Sequence, residues 1–189
     1  MTRIGIILGS TRPNRNGAQV AAWVCDRASR RSDAVFELVD LHDYPLPLLQ
    51  EPVPAAYGRY EHAYTQAWSE KIAGYDGFVL VTPEYNHSTS AVLKNALDHL
   101  YVEWNDKSVG LVSYGGTGGV RAAEHLRLVC GAMQMADVCQ QVTVQMATEF
   151  VDGYTRFEPS ATSAAALDVL LDQVVRWAMA LAPLRSVAS

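Results

Sequence analysis

Residues 82–90 read TPEYNHSTS and follow the apolar run 78–81, FVLV. A helical pattern, residues 91–100, begins directly after them. The stretch therefore joins a buried strand to a helix. It contains, in succession, the carboxylate of Glu84, the phenol of Tyr85, the amide of Asn86 and the imidazole of His87. Loops in such positions often carry function, because a rigid scaffold aims their side chains. The position of this loop relative to two others decides the order of the strands.

Apolar runs rich in Val and Ile alternate with helical patterns along the whole chain. The predicted strands are Ile4–Leu8, Val35–Val39, Phe78–Val81, Val109–Val112 and Val142–Val144. The predicted helices cover residues 16–31, 57–72, 91–100, 120–133 and the tail from residue 160. Strict alternation predicts a parallel sheet with helices on both faces, within one domain that spans residues 1–189.

One connection is long and rich in proline. Residues 40–55, DLHDYPLPLLQEPVPA, carry prolines at positions 45, 47, 52 and 54. Proline removes a backbone donor and fixes its own torsion, so this segment is predicted to be a stiff surface loop.

Three loops depart from plain turn chemistry, and all three follow the carboxyl ends of strands. They are GSTRPNRNG at 9–17, TPEYNHSTS at 82–90 and SYGGTGG at 113–119. Ligands of open α/β sheets bind at that edge, where the strand order reverses. The order 3-2-1-4-5 would put strand three at the far edge, whereas 2-1-3-4-5 makes strands one, three and four neighbours. The sequence therefore predicts a flavodoxin-like three-layer α/β sandwich of order 2-1-3-4-5.

The first loop has the chemistry of a phosphate site. It ends at a predicted helix start, where unpaired N–H groups and the helix dipole favour an anion. Ser10, Thr11 and Asn16 offer donors or a cap, and Arg12 and Arg15 can bind phosphate oxygens. A capped turn with two solvated arginines fits the same residues. The chain has neither a Walker lysine motif nor G-x-G-x-x-G, so a nucleoside triphosphate or a standard dinucleotide fingerprint is not indicated.

The third loop has glycine at positions 115, 116, 118 and 119. Glycine lets backbone N–H groups approach a flat ring closely, although a flexible turn would also use it. The middle loop adds the stiffening Pro83, the ring of Tyr85 and the main chain of residues 84–86. A phosphate site, a middle loop and an amide-rich edge together describe a phosphorylated planar molecule, and flavin mononucleotide (FMN) fits that description.

These residues resemble the NAD(P)H-dependent FMN reductase family, which includes quinone, azo-dye and chromate reductases. The resembling segments are GSTRPNRNG, DLHDYPLPLL, TPEYNHSTSAVLKNALD and VSYGGTGGVRAAEHLR. One departure is Ser90-Ala91, where the family usually has Pro-Gly. The resemblance places phosphate contacts on Ser10, Arg12, Arg15, Asn16 and Gly17. It places isoalloxazine contacts on Pro83, Glu84, Tyr85, Asn86, Ser113, Tyr114, Gly115 and Gly116.

The resemblance also implies a reaction and an assembly. NAD(P)H would pass hydride to the flavin N5, and a quinone, an azo compound or free flavin would then take the electrons in a ping-pong cycle. No side-chain acid or base is expected, because the cofactor carries the chemistry. NADPH and NADH remain open as donors, and a homodimer or homotetramer is implied. A flavodoxin-type electron carrier and a flavin-binding redox-regulatory protein are the alternatives.

Composition limits the other function classes. The formal net charge of −5 argues against a duplex nucleic-acid binder. The histidines lack metal-ligand spacing, so no metal is expected. No apolar stretch reaches the ~20 residues that span a bilayer. Three cysteines without a CxxC pair predict a reducing, cytoplasmic setting.

Overall fold

The computed structural model describes residues 1–187 and contains one five-stranded parallel sheet in the order β2-β1-β3-β4-β5. Its strands are β1 (Thr2–Leu8), β2 (Ala34–Asp40), β3 (Gly77–Pro83), β4 (Ser108–Gly115) and β5 (Ala136–Gln145). The helices are α1 (Gly17–Ala28), α2 (Ala63–Ala73), α3 (Ala91–Asp98), α4 (Val120–Ala132), α5 (Met146–Glu149) and α6 (Ala161–Val187). A hairpin of β6 (Phe150–Val151) and β7 (Arg156–Phe157) precedes α6. The predicted fold class and strand order are confirmed.

The register places the three unusual loops side by side. On β1, Ile6 lies opposite Leu38 of β2 on one side and Val79 of β3 on the other. In turn, Val79 pairs with Gly110 of β4. The strands β1, β3 and β4 are therefore adjacent and parallel, and their carboxyl ends meet at one edge of the sheet.

The sheet is buried on both faces, which explains why its central strands read as unbroken apolar runs. One apolar cluster packs α1 and α6 against the sheet, through residues such as Val24 and Leu170. The other packs α2, α3 and α4 against the opposite face, around Trp68 and Trp104, both fully buried. Burying a large side chain contributes roughly 1.5–3 kcal/mol, so these two clusters hold the loop-bearing edge rigid.

Two predicted helices differ from the structure by more than two residues. The helix predicted over 57–72 begins at Ala63, because residues Ala55–Tyr57 form a 3-10 turn that ends at Gly58. Gly58 has a φ of 59°, a left-handed conformation that suits glycine and stops the helix. The first helix ends at Ala28 rather than residue 31. The proline-rich connection lies on the surface as predicted, with a second 3-10 turn at Leu41–Asp43.

Helix α5 and the β6–β7 hairpin were not predicted. Both are short, and the hairpin forms only two residue pairs, so the sequence carries no periodic signal for them. No helix within residues 1–187 combines the length and apolar character needed to cross a bilayer.

Candidate functional site

The three loops converge on a cleft of about 230 Å³ at the carboxyl edge of the sheet. It is lined by Arg12, Pro13, Asn14, Arg15, Asn16, Pro83, Glu84, Tyr85, Tyr114, Gly115 and Met146. Eight of these eleven lining residues were predicted as site residues from the sequence. The strand order thus produces the crevice that the loop chemistry required.

The loop before α1 offers backbone donors. Within the described chain, the N–H groups of residues 11, 12 and 14–17 donate no hydrogen bond to protein atoms. The side chain of Asn16, the N-cap residue, does not cap the helix, and the first turn of α1 contains no acidic residue. Free N–H groups at a helix start form a site for an anion such as phosphate.

Gly17 allows a close approach between α1 and the floor of the cleft. A Cβ at this position would lie 2.9 Å from Cζ of Tyr114, closer than real Cβ atoms come, and 3.1 Å from Cδ1 of Leu8, a tight contact. Tyr114 is buried, and this burial raises the pKa of its hydroxyl well above the ordinary tyrosine value. The hydroxyl is therefore neutral at any physiological pH and can serve as a hydrogen-bond donor.

Ser10 and Arg12 both contact the ring of Tyr85. The buried Ser10 hydroxyl shares a 3.0 Å hydrogen bond with the Tyr85 hydroxyl. The Arg12 guanidinium lies 5.6 Å from the centroid of the same ring. No carboxylate in residues 1–187 pairs with Arg12, so its charge remains available to an anionic ligand.

Arg15 has an acidic partner that the sequence did not reveal. Its guanidinium donates to Oδ2 of Asp40, the last residue of β2, and both side chains are more than four-fifths buried. The other carboxylate oxygen, Oδ1, accepts from the backbone N–H of His42 at 2.9 Å. Asp40 thus fixes the orientation of Arg15 at the mouth of the cleft, where Arg15 was predicted to bind phosphate.

The middle loop is a tight two-residue turn. Tyr85 and Ser88 exchange backbone hydrogen bonds of 2.9 and 3.1 Å. Between them, Asn86 and His87 have φ values of 50° and 69°, which is the pattern of a type I′ turn. Their side chains are exposed at the tip and do not line the cleft. Asn86 was predicted as a flavin contact, and it does not itself line the cleft.

Glu84 joins the middle loop to the start of α4. Its carboxylate accepts from Nε of Arg121 at 2.6 Å and from the Arg121 backbone N–H at 3.2 Å. Its own N–H donates to the carbonyl oxygen of Tyr114 at 3.0 Å. Because the carboxylate is already bound in these contacts, Glu84 acts here by fixing the loop.

The glycine-rich loop contains two kinds of glycine. Gly118 and Gly119 have φ values of 72° and 71°, a left-handed backbone conformation that favours glycine. A Cβ on Gly116 would meet nothing within 4 Å, so this glycine has no packing reason in the protein alone. The fully buried Ser113 hydroxyl donates to the carbonyl oxygen of Gly118 at 2.7 Å. Ser113 was predicted to contact the isoalloxazine, and here it holds the loop from below.

The sequence matches the NADPH-dependent FMN reductase family over residues 2–149. The chain belongs to that family. An NAD(P)H-dependent FMN reductase of Schizosaccharomyces pombe is 47% identical over 135 residues, which cover 70% of this chain and 68% of the relative. A 2-hydroxy-1,4-benzoquinone reductase of a Burkholderia species is 33% identical over 140 residues, 70% of this chain and 72% of the relative. The predicted family is confirmed, and with it the class of FMN- and NAD(P)H-dependent oxidoreductases.

The solved structure of the flavoenzyme FerB, an NAD(P)H:acceptor oxidoreductase from Paracoccus denitrificans, shares the fold. It superimposes with a TM-score of 0.73 over 95% of this chain and 98% of that chain, at 18% sequence identity.

Ser90 is the first residue of the pair Ser90-Ala91, which stands where FMN reductases usually have Pro-Gly, and its hydroxyl makes two hydrogen bonds. The Ser90 hydroxyl accepts from the N–H of Leu93 at 3.2 Å and so caps α3. The same hydroxyl donates to the carbonyl oxygen of Gly9, at the end of β1. A serine in this position therefore caps one loop-bearing element and ties it to another.

Sequence reasoning missed five residues at the cleft, of which Pro13 and Asn14 belong to the loop that was predicted to bind phosphate. Met146 lies in the cleft because β5 ends at the same edge as the other strands, so the edge rule extended to β5 would have found it. Asp40 and Arg121 act through Arg15 and Glu84, over long sequence separations that no local pattern encodes.

Proposed function

We propose that this chain binds FMN in the cleft and reduces a quinone, an azo compound or free flavin at the expense of NADPH or NADH. One observation supports the proposal most strongly. The loop at the start of α1 combines free backbone donors with the unpaired Arg12, and it lies next to two further loops with the shape and chemistry for a flat ring.

The residues present suit the phosphate end of FMN. Charge-assisted bonds from Arg12 and Arg15, with the N–H groups of residues 14–17, would bind the phosphate. Ser10 and Asn16 would supply further donors from the same loop. The N–H of Gly17 donates no hydrogen bond within the described chain, so it would be open to an approaching anion.

The residues around the other two loops suit the ring. Pro83, Glu84, Tyr85 and the main chain of Asn86 would border it on one side. The Tyr114 ring and the N–H groups of Gly115 and Gly116 would border it on the other, where they can stabilise negative charge on the reduced ring. Ser113 supports this loop through its bond to Gly118.

Bound FMN supplies the redox chemistry, since a flavin accepts a hydride and returns its electrons to an acceptor. The lining side chains fit a supporting role, because the Glu84 carboxylate is paired with Arg121, and Arg15, which Asp40 holds in place, would bind the phosphate. Tyr114 stays protonated. We therefore propose no catalytic acid or base, and a ping-pong order in which NAD(P)H and the acceptor use the cleft in turn.

The proposal includes a homodimer or homotetramer. Leu48 of the proline-rich connection is 80% exposed and Val92 of α3 is 36% exposed, and both border one apolar depression. Covering it with a second copy of the chain would remove apolar area from water. Light scattering that finds a multiple of the 20.7 kDa chain mass would support an oligomer, and a monomer would contradict it.

The cytoplasmic location remains a prediction. It is supported by Cys25, Cys130 and Cys139, which are free thiols. Free thiols are the state that a reducing compartment maintains.

The experiment begins with purified protein loaded with FMN under anaerobic conditions. Addition of NADPH or NADH should bleach the flavin absorbance, and a quinone should restore it. Initial rates at varied concentrations of both substrates should give parallel double-reciprocal lines. A flavin that stays oxidised with both nicotinamides would support the electron carrier instead, and a protein that does not bind FMN would overturn the proposal.

A further inference from the structure

A second chamber, of about 380 Å³, adjoins the cleft at its phosphate end. It is lined by Asn14, Arg15, Asn16, Gln19, Tyr154 and Thr155. The first three of these also line the cleft, whereas no residue of the middle turn or of the glycine-rich loop is shared. The chamber therefore continues from the place where a phosphate would bind and not from the place where the flavin ring would lie.

The β6–β7 hairpin forms the outer wall of the chamber and is firmly attached to α1. Gln19 donates from Nε2 to the carbonyl oxygen of Thr155 at 2.9 Å and accepts from the N–H of Phe157 at 2.9 Å. The Phe157 ring lies 5.4 Å from the Trp23 ring and 5.0 Å from the Phe150 ring, measured between centroids. These contacts give the hairpin a defined position beside the loop at 14–16.

At the tip of the hairpin, a tyrosine has an unusual backbone. Asp152, Gly153 and Tyr154 have φ values of 52°, 68° and 68°, three left-handed residues in succession. This conformation is unfavourable for a bulky residue such as tyrosine. Tyr154, moreover, is 52% exposed, so burial in the core does not account for its placement. The hairpin also lies beyond residue 149, where the match to the family ends.

We propose that this chamber binds an adenosine phosphate group. The exposed Tyr154 ring offers a face on which adenine can stack. Arg15 and the amide of Asn14 provide donors for a phosphate between the two sites. The proposal rests on the proposed function, because it takes the riboflavin phosphate to lie in the loop before α1.

Two ligands could bring such a group to the chamber. In flavin adenine dinucleotide (FAD), the adenylate is attached directly to the riboflavin phosphate, which matches the residues that the two cavities share. The other source is the adenosine end of NADPH, which 2′,5′-ADP reproduces on its own.

The test compares wild-type protein with Tyr154→Asn, since asparagine tolerates the left-handed backbone but lacks the ring. Calorimetric titration of the flavin-free full chain gives Kd for FMN and for FAD, and titration of the FMN-loaded chain gives Kd for 2′,5′-ADP. Tyr154→Phe keeps the ring and should bind as the wild type does. Trp177, a residue of α6 that is 43% exposed, lies outside both cavities, and Trp177→Ala serves as the control.

The expected result is a loss of roughly fivefold or more in FAD affinity with Tyr154→Asn, with FMN affinity within about twofold of the wild type. A selective loss in 2′,5′-ADP affinity instead would support the adenosine site and assign it to NADPH. If neither ligand loses affinity, or FMN loses as much as FAD, the chamber does not bind adenosine. A wild-type protein that binds neither FMN nor FAD would overturn the proposed function as well.

Discussion

Valine substitutions at Gly116 and Gly119 separate the two roles of the glycine-rich loop. At Gly119 the backbone φ is 71°, and a Cβ would lie 2.8 Å from the backbone nitrogen of Tyr114 and 2.9 Å from Cβ of Ser113. At Gly116 a Cβ would meet nothing within 4 Å. The same substitution therefore damages the fold at one position and only fills open space at the other.

The expected magnitudes follow from these distances. A side chain in the left-handed region costs about 1–2 kcal/mol, and forced contacts in a packed site cost about 1–3 kcal/mol more. Gly119→Val should thus lower the free energy of unfolding by about 2–5 kcal/mol. In a chain of this size, that corresponds to a fall in Tm of at least ~4 °C. Gly116→Val should leave stability within ~0.5 kcal/mol of the wild type.

The assay measures Tm by circular dichroism without cofactor and FMN affinity by fluorescence. We expect Gly116→Val to retain the wild-type Tm and to weaken FMN binding roughly tenfold. The valine side chain would keep the ring away from the backbone N–H, which removes about one hydrogen bond. A Gly116→Val protein with wild-type FMN affinity and reduction rate would refute the role of this loop. A Gly119→Val protein as stable as the wild type would refute the steric argument.

Three further predictions concern single charged side chains. Arg12→Ala should weaken FMN roughly tenfold and make its binding less sensitive to salt, with Tm unchanged, because Arg12 has no acidic partner in the described chain; titrations at two salt concentrations check this. Glu84→Ala should lower the free energy of unfolding by about 1–2 kcal/mol, and Tm by a few degrees, because it removes the bonds to Arg121 that anchor the middle loop. A thermal melt measures this change. Burial lowers the pKa of Lys107 to about 8. Between that value and its ordinary pKa the unfolded chain binds more protons, so the destabilising effect of the charged Lys107 on the fold should be relieved as pH rises from 8 to 10. The stability of the wild type relative to Lys107→Met should then increase over this range in urea titrations.

The strand order was predictable because it follows from local signals combined with one rule of topology. Residues 9–17, 82–90 and 113–119 each carry unusual chemistry, and only one common order brings all three to the same edge. The buried runs of β1, β3 and β4 made the strands themselves unambiguous, although each strand extends beyond its apolar run.

Interactions between distant segments could not be predicted from the sequence. The pair Arg15–Asp40 depends on the end of β2 reaching the loop after β1, which only the packed sheet defines. The β6–β7 hairpin depends on contacts of Gln19 with residues more than 130 positions away.

The most direct test of the central claim compares the affinities of FMN and riboflavin for the flavin-free protein. The two ligands differ only in the phosphate, and charge-assisted hydrogen bonds contribute about 1.5–3 kcal/mol each. With two or more such bonds from the loop before α1, FMN should bind at least ~100-fold more tightly than riboflavin. Equal affinities for the two ligands would show that this loop holds no phosphate, and would contradict the account.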